Sequence, residues 1–255
     1  MYIKKVEPQR FSSMNGEPDI ARREFQHGRI AYRFLWNKTN HIRLGNDKGD
    51  LASLWAHLIT LQEGKIPETP FTDPFYVRAS RLKLKKMSQA ARVGLRRKLV
   101  RAGKITKSLD NPLIDLVREF HKLRNDNSFT SDHSILTEFI ENDRNTIAIE
   151  VPVWSERYRI TGHIDLIRYN NGVIQVCDYK PGTLESTTKR FTRSLPQVAA
   201  YGELLAIHLS NTLRSALEAP SLPKIQCCIF DTHSCWTFGA ELFVTLQATG
   251  LLDDY

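Results

Sequence analysis

The chain has 255 residues, 41% hydrophobic and 25% charged, a composition ordinary for a soluble globular protein and long enough for one large domain or two small ones. No apolar run is long enough for a helix to span a bilayer and no basic-then-apolar leader follows Met1, so no membrane partner and a cytoplasmic, intracellular location are expected. The net charge of +8 is concentrated, because residues 78–107 hold twelve Lys or Arg and no Asp or Glu, which leaves 24 basic against 28 acidic residues elsewhere. A solvated helix face would be the bland account of that stretch; a polyanionic partner is the sharper one.

In chain order, residues 1 to about 20 are polar and carry no pattern. Ile20 to Trp36 reads as helical. Ile66 to Pro74 reads as a loop, since Pro67, Pro70 and Pro74 interrupt regular structure. Ser88 is a good N-cap for a basic helix with Ala91, Leu95 and Leu99 on its apolar stripe. Arg92, Arg96, Arg97 and Arg101 take its other faces, and Gly103 marks its end. Asn111-Pro112 opens a second helix with a stripe of Leu113, Leu116, Val117, Phe120 and Leu123. A short helix is expected from Ser134 to Ile140 and a strand from Thr146 to Trp154, where Pro152 favours a sheet edge or an irregularity.

Ile160 to Tyr169 and Val173 to Tyr179 are rich in β-branched and aromatic residues, and Asn171-Gly172 between them is a hairpin turn signal. With those two residues as the loop, opposed positions sum to 343, so Asp165 faces Asp178. Lys180, two residues on, shares their side of the strand. Two carboxylates about 5 Å apart across a sheet repel each other and resist ionising together, a conflict that a divalent cation between them removes. After this hairpin, Pro181-Gly182-Thr183 ends the strand, and Leu184 to Ser194 reads as a basic connection with Lys189, Arg190 and Arg193. Pro196 is expected in the first turn of a helix running to about Leu209, with Gln197 and Tyr201 on one face. A strand over Lys224–Asp231 and a short helix from Ala240 onward complete the chain.

Gly162-His163-Ile164-Asp165 followed by Asp178-Tyr179-Lys180 resembles the PD-(D/E)XK nuclease superfamily, and its RecB-like branch in particular. Gln197 to Tyr201 resembles the Q-x-x-x-Y helix motif of that branch, and Glu150 stands twelve residues before Gly162, where such proteins often carry a Glu. The resemblance implies an α/β fold with a restriction-endonuclease-like αβββαβ core and a mixed sheet over residues 146–255, preceded by a mostly helical region, residues 1–145. It implies Mg²⁺ or Mn²⁺ held by Asp165, Asp178 and the Tyr179 carbonyl, with Glu150 as a further ligand or catalytic group and Lys180 as the catalytic cation. The branch's early G-x-x-x-H helix is incomplete here: one candidate segment has Tyr32 at the His position and includes His27, the other has Ser53 there with His57 a turn later. Either His27 or His57 would complete the metal site, and ordinary packing histidines are the alternative. Some RecB-like nucleases bind an iron–sulfur cluster through one upstream and three downstream cysteines. Here Cys177, Cys227, Cys228 and Cys235 include none upstream of the hairpin, so no cluster is expected and buried thiols are.

The function so implied is metal-dependent hydrolysis of DNA phosphodiesters, in repair, recombination or the processing of mobile or viral DNA. Gln197, Tyr201, the four helix arginines, Lys189, Arg190 and Arg193 would contact the nucleic acid. A catalytically silent DNA-binding fold, or an accessory subunit that docks a helicase or recombination protein through its basic segment, are the alternatives, and a homo-oligomer is open. No Walker A pattern is present, so any ATP-driven unwinding would come from another chain. Exonuclease and endonuclease action both stay open.

Overall fold

The computed structural model describes residues 19–46, 51–127, 133–182, 184, 188–214 and 223–253. Its strands are β1 (Ile20–His27), β2 (Ile30–Asn37), β3 (Val77–Arg78), β4 (Ile105–Ser108), β5 (Thr146–Ser155), β6 (Ile160–Asn170), β7 (Val173–Tyr179), β8 (Lys224–Phe230) and β9 (Cys235–Gly239). Its helices are α1 (Lys38–Asn46), α2 (Ala52–Gln62), α3 (Thr69–Thr72), α4 (Gln89–Arg101), α5 (Pro112–Leu123), α6 (Leu136–Asn142), α7 (Thr188–Arg214) and α8 (Leu242–Ala248). All nine strands join one sheet in the order β1-β2-β5-β6-β7-β8-β9-β4, with β3 parallel to β6. The run α6-β5-β6-β7-α7-β8 has the αβββαβ order expected, and β7–β8 is a parallel pair in an otherwise mostly antiparallel sheet.

Helices cover both faces of the sheet. On one side α7 packs with α2, α4 and α8, and its core takes Ile167, Ile174, Val176, Cys227 and Ile229. On the other, α5 and α6 pack over Leu166, Cys177, Tyr179, Cys228 and Phe230. The two sets alternate along each strand, as the two-residue repeat of a pleated strand requires. The four cysteines are buried thiols divided between the layers.

The β6–β7 register is the expected one, from Leu166 opposite Cys177 to Asn170 opposite Val173, and Asn171 and Gly172 both take the positive φ of a tight hairpin loop. Ser88 Oγ caps α4 by accepting from Ala91 N, and Asn111 caps α5 ahead of Pro112. Four expectations need correction. Ile20–Trp36 is not a helix but the β1–β2 hairpin, closed by Gly28-Arg29 with Phe25 opposite Tyr32; Gly28 has φ +63, a conformation that suits the turn and not a helix. The boundary expected at residue 145 does not divide the sheet, because β2 pairs with β5 and β4 with β9, and residues before 146 supply four strands as well as helices. The Pro-rich loop contains the one-turn α3, with Pro70 in its first turn. Finally, α7 begins at Thr188 and carries Pro196 inside it. Phe191 and Leu195 are buried there, Phe191 stacking on Trp236 with ring centroids 4.4 Å apart, and this packing outweighs the cost of an internal proline, about 3 kcal/mol.

Candidate active site

Strand alternation places Asp165 and Asp178 on the α7 side of the sheet, since their neighbours Ile167 and Val176 belong to that core layer. Asp178 is fully buried and Asp165 is 6% exposed. The two carboxyls are in hydrogen-bonding contact. Burial pushes Asp165 well above the usual carboxylate range, and the charge of Asp178 adds to this while Lys180 opposes it. Lys180 Nζ lies 3.0 Å from one oxygen of Asp178 and 2.8 Å from the other. Burial works against the charge on Lys180, but Asp178 and Asp165 outweigh it and hold the ammonium above its ordinary value. The backbone N–H of Lys180 donates to the Phe230 carbonyl at 2.9 Å, which ties the end of β7 to β8.

Glu150 joins this group from β5. Ile149 pairs with Leu166 and Val151 with Ile164, which leaves Glu150 opposite Asp165. Its φ is +55, a left-handed conformation rare within a strand and costing about 1–3 kcal/mol. The β2–β5 pairing ends at Ile149, one residue before it. Burial raises the Glu150 pKa to about 7, with Asp178 contributing.

Gln197 and Tyr201 reach the same place from α7. Gln197 Nε2 donates to Tyr201 Oη at 3.0 Å, and burial followed by the charge of Asp165 pushes the phenol far above its ordinary value. Gly162 is what lets the ring in: a Cβ there would meet Tyr201 Cε1 at 2.5 Å and Ala79 Cβ at 3.3 Å.

A cavity of about 240 Å³ opens onto these groups, lined by Glu150, Asp165, Gln197 and Tyr201 together with His27, Tyr32, Arg78, Ser80, Gly162 and His163. Its two sides differ in charge. Burial lowers His27 to about 4 and His163 to about 3, and the charges that add to this are Arg78 and Arg81 for the first and His27 and Arg78 for the second. Tyr32 stacks on His163 at 3.7 Å between ring centroids and lies in between, feeling Arg78 on one hand and Glu150 and Asp165 on the other. Arg78, Ser80 and His163 were not legible as site residues. The one signal available was His163 at two residues from Asp165, which puts both side chains on one face.

Other expected residues lie elsewhere. His57 is not in the cavity; it is buried in α2, stacked on His208 at 4.5 Å, and His208 accepts from Trp154 N. Arg190 lies near the end of β7, its guanidinium 2.9 Å from where a Cβ on Gly182 would sit, and Arg193 is exposed. The side chain of Lys189 lies outside the described residues. On α4, Arg97 and Arg101 are exposed, whereas Arg92 and Arg96 are half-buried and Arg96 lies over the Trp236 ring at 5.8 Å. The α4 stripe is narrower than expected, because Ala91 is exposed and Leu99 is the buried residue of the helix.

Among the described residues no group of three or more His, Cys, Asp or Glu side chains is by itself arranged to hold a metal ion. The donor set still fits magnesium or manganese, which take one or two carboxylates and complete their shell with water and substrate phosphate. Two buried carboxyls in mutual contact, with one of them driven toward protonation, are the arrangement a divalent cation would relieve.

The sequence model of the PD-(D/E)XK nuclease superfamily matches residues 80–222, a span that includes both aspartates, Lys180 and the Gln197–Tyr201 pair. The chain belongs to the PD-(D/E)XK nuclease superfamily. Its mixed α/β architecture is consistent with the restriction-endonuclease-like fold. No curated protein and no solved structure matches the chain. Members of this superfamily generally use divalent metals and act on nucleic acid, and no helix among the described residues is long and apolar enough to cross a membrane.

Proposed function

We propose that this superfamily member is a Mg²⁺- or Mn²⁺-dependent deoxyribonuclease of the RecB-like kind. The observation that carries the reading is the contact between Asp165 and Asp178 with Lys180 bridging both oxygens of Asp178. Asp165, Asp178 and the Tyr179 carbonyl would hold the metal, with Glu150 as a further donor. The bound ion would supply Lewis acidity at the scissile phosphate and ease deprotonation of the attacking water. Lys180 would orient that water or neutralise charge growing on the phosphoryl oxygens. The Gln197–Tyr201 pair would position the strand against the carboxylates, and Arg97, Arg101, Arg190 and Arg193 would contact more distant phosphates. Repair, recombination or the processing of mobile or viral DNA is the setting such an activity fits, alone or beside a helicase or recombination protein.

The test is incubation of labelled linear and circular DNA, single- and double-stranded, with Mg²⁺, Mn²⁺ or EDTA. Cleavage with either metal and none in EDTA is expected. Full cleavage in excess chelator would overturn the mechanism, and binding without cleavage in any metal would leave a DNA-binding protein. Loss of activity on circular substrates alone would identify an exonuclease.

A further inference from the structure

Resting on the nuclease reading, we infer that the cavity holds a second phosphate subsite, beside the carboxylates, formed by Arg78, Ser80, His27 and His163. Two observations carry this. First, His27 Nδ1 and His163 Nε2 are buried nitrogens without a hydrogen-bond partner, in side chains 4% and 6% exposed, and both residues line the cavity. Buried polar atoms are nearly always satisfied, and leaving one unpaired costs about 1–3 kcal/mol, so two on one wall call for a polar ligand. Second, the wall is fixed and cationic. Arg78 Nη2 donates to the His27 carbonyl at 2.8 Å, and Arg78 itself sits on β3, paired with Thr161 two residues before His163. Ser80, exposed at the mouth, adds a hydroxyl.

The chemistry selects the ligand. A cation held at the carboxylates and the guanidinium of Arg78 would each face an anion, and two successive phosphates of one nucleic-acid strand would supply both. The scissile phosphate would lie toward Asp165 and a neighbouring phosphate toward Arg78. About 240 Å³ is below the roughly 300–1,000 Å³ of pockets that enclose whole small molecules, so a backbone phosphate suits it better than a complete nucleotide. Arginine is suited to that role, since its planar fork can donate two parallel hydrogen bonds to phosphate oxygens. That phosphate is either an internal diester or the monoester at a strand end.

The experiment follows histidine side-chain resonances of the full chain, labelled at histidine and kept in EDTA, with His27→Gln and His163→Gln spectra for assignment. The probes are thymidine, the dinucleotide TpT and its 5′-phosphorylated form pTpT. Shifts of His27 and His163 with both TpT and pTpT, and none with thymidine, are expected for an internal phosphate; shifts with pTpT alone assign the subsite to a strand end. Arg78→Gln should weaken the Kd of the responding probe by about tenfold or more, as loss of a charge-assisted hydrogen bond does, and Arg78→Lys by less. The wild-type titration stands even if these variants fail to fold. Equal shifts with thymidine would overturn the proposal, because the contact would then be to the nucleoside. No shift with any probe from a protein that cleaves DNA would also overturn it while leaving the nuclease reading intact; no shift and no cleavage would remove both.

Discussion

Replacing Glu150 with Gln should stabilise the metal-free protein, and the gain should grow with pH. A carboxyl whose folded pKa is raised favours the native state below its unfolded pKa, and that contribution is lost as pH rises through the folded pKa. For Glu150 the window runs from its ordinary 4.5 to about 7. A displacement of that size corresponds to about 3 kcal/mol against the native state once the group is ionised, an upper figure because burial relaxes. Wild type alone would not display the effect cleanly. His27, His41, His57, His163 and His208 are all lowered, chiefly by burial, so their contribution is present above pH 6.5 and fades toward pH 4. They pull against Glu150, and subtracting wild type from Glu150→Gln cancels them. Urea unfolding in EDTA at pH 5 and pH 8 measures the difference, which should widen by up to about 3 kcal/mol. Added Mg²⁺ should narrow it by stabilising wild type through mass action. A difference of the same size at both pH values would refute the reasoning.

Asp178→Asn and Lys180→Ala should each lower turnover by about a hundredfold or more while DNA binding survives; a Lys180→Ala enzyme cleaving at near wild-type rate in a single-turnover assay would remove its assigned role. Gly162→Ala should destabilise the fold by about 1–3 kcal/mol in urea titrations and reduce turnover, because its Cβ displaces the Tyr201 ring. Arg97→Gln combined with Arg101→Gln should make the log–log slope of DNA affinity against salt shallower by up to about two, at about 0.9 per duplex phosphate contact; an unchanged slope across a salt series would mean that α4 faces something other than DNA.

Local pairing rules carried the sequence furthest. Asn171-Gly172 fixes a two-residue loop, a two-residue loop fixes the register, and the register alone puts Asp165 across from Asp178. The caps Ser88 and Asn111 were likewise readable, since each satisfies an amide two or three residues ahead. What failed was structure decided by distant partners. Phe25, Tyr32 and their neighbours can be fitted to a helical or a strand period, and the outcome turns on Gly28 and on an edge of β5 more than a hundred residues away. Pro196 looked like a helix start, but Phe191 and Leu195 extend α7 upstream by packing on residues near the end of the chain. The cationic side of the cavity was invisible for the same reason. Arg78 and Ser80 reach it only because β3 pairs with β6, and two-residue strands leave almost no pattern.

The intervening Tyr179 shows how one strand serves both faces of the sheet. Asp178 and Lys180 point toward α7, so Tyr179 must point the other way, into the layer formed by α5 and α6. There its Oη lies 2.9 Å from His121 Nε2, and His121 Nδ1 lies 3.0 Å from Asp126 Oδ2. In the tautomer whose Nδ1–H donates to the carboxylate, Nε2 accepts a hydrogen bond from the phenol. Burial, then Asp231 and Asp126, push that phenol up to about 12, so it remains a donor across the physiological range. A hydroxyl that stays protonated, hydrogen-bonded inside a packed layer, holds the backbone of Tyr179 in place from behind. The carbonyl proposed as a metal ligand and the amide of Lys180, itself bonded to Phe230, belong to that same short segment. The Tyr between Asp178 and Lys180 is therefore an anchor: the buried face supplies rigidity to the short segment that carries both of them.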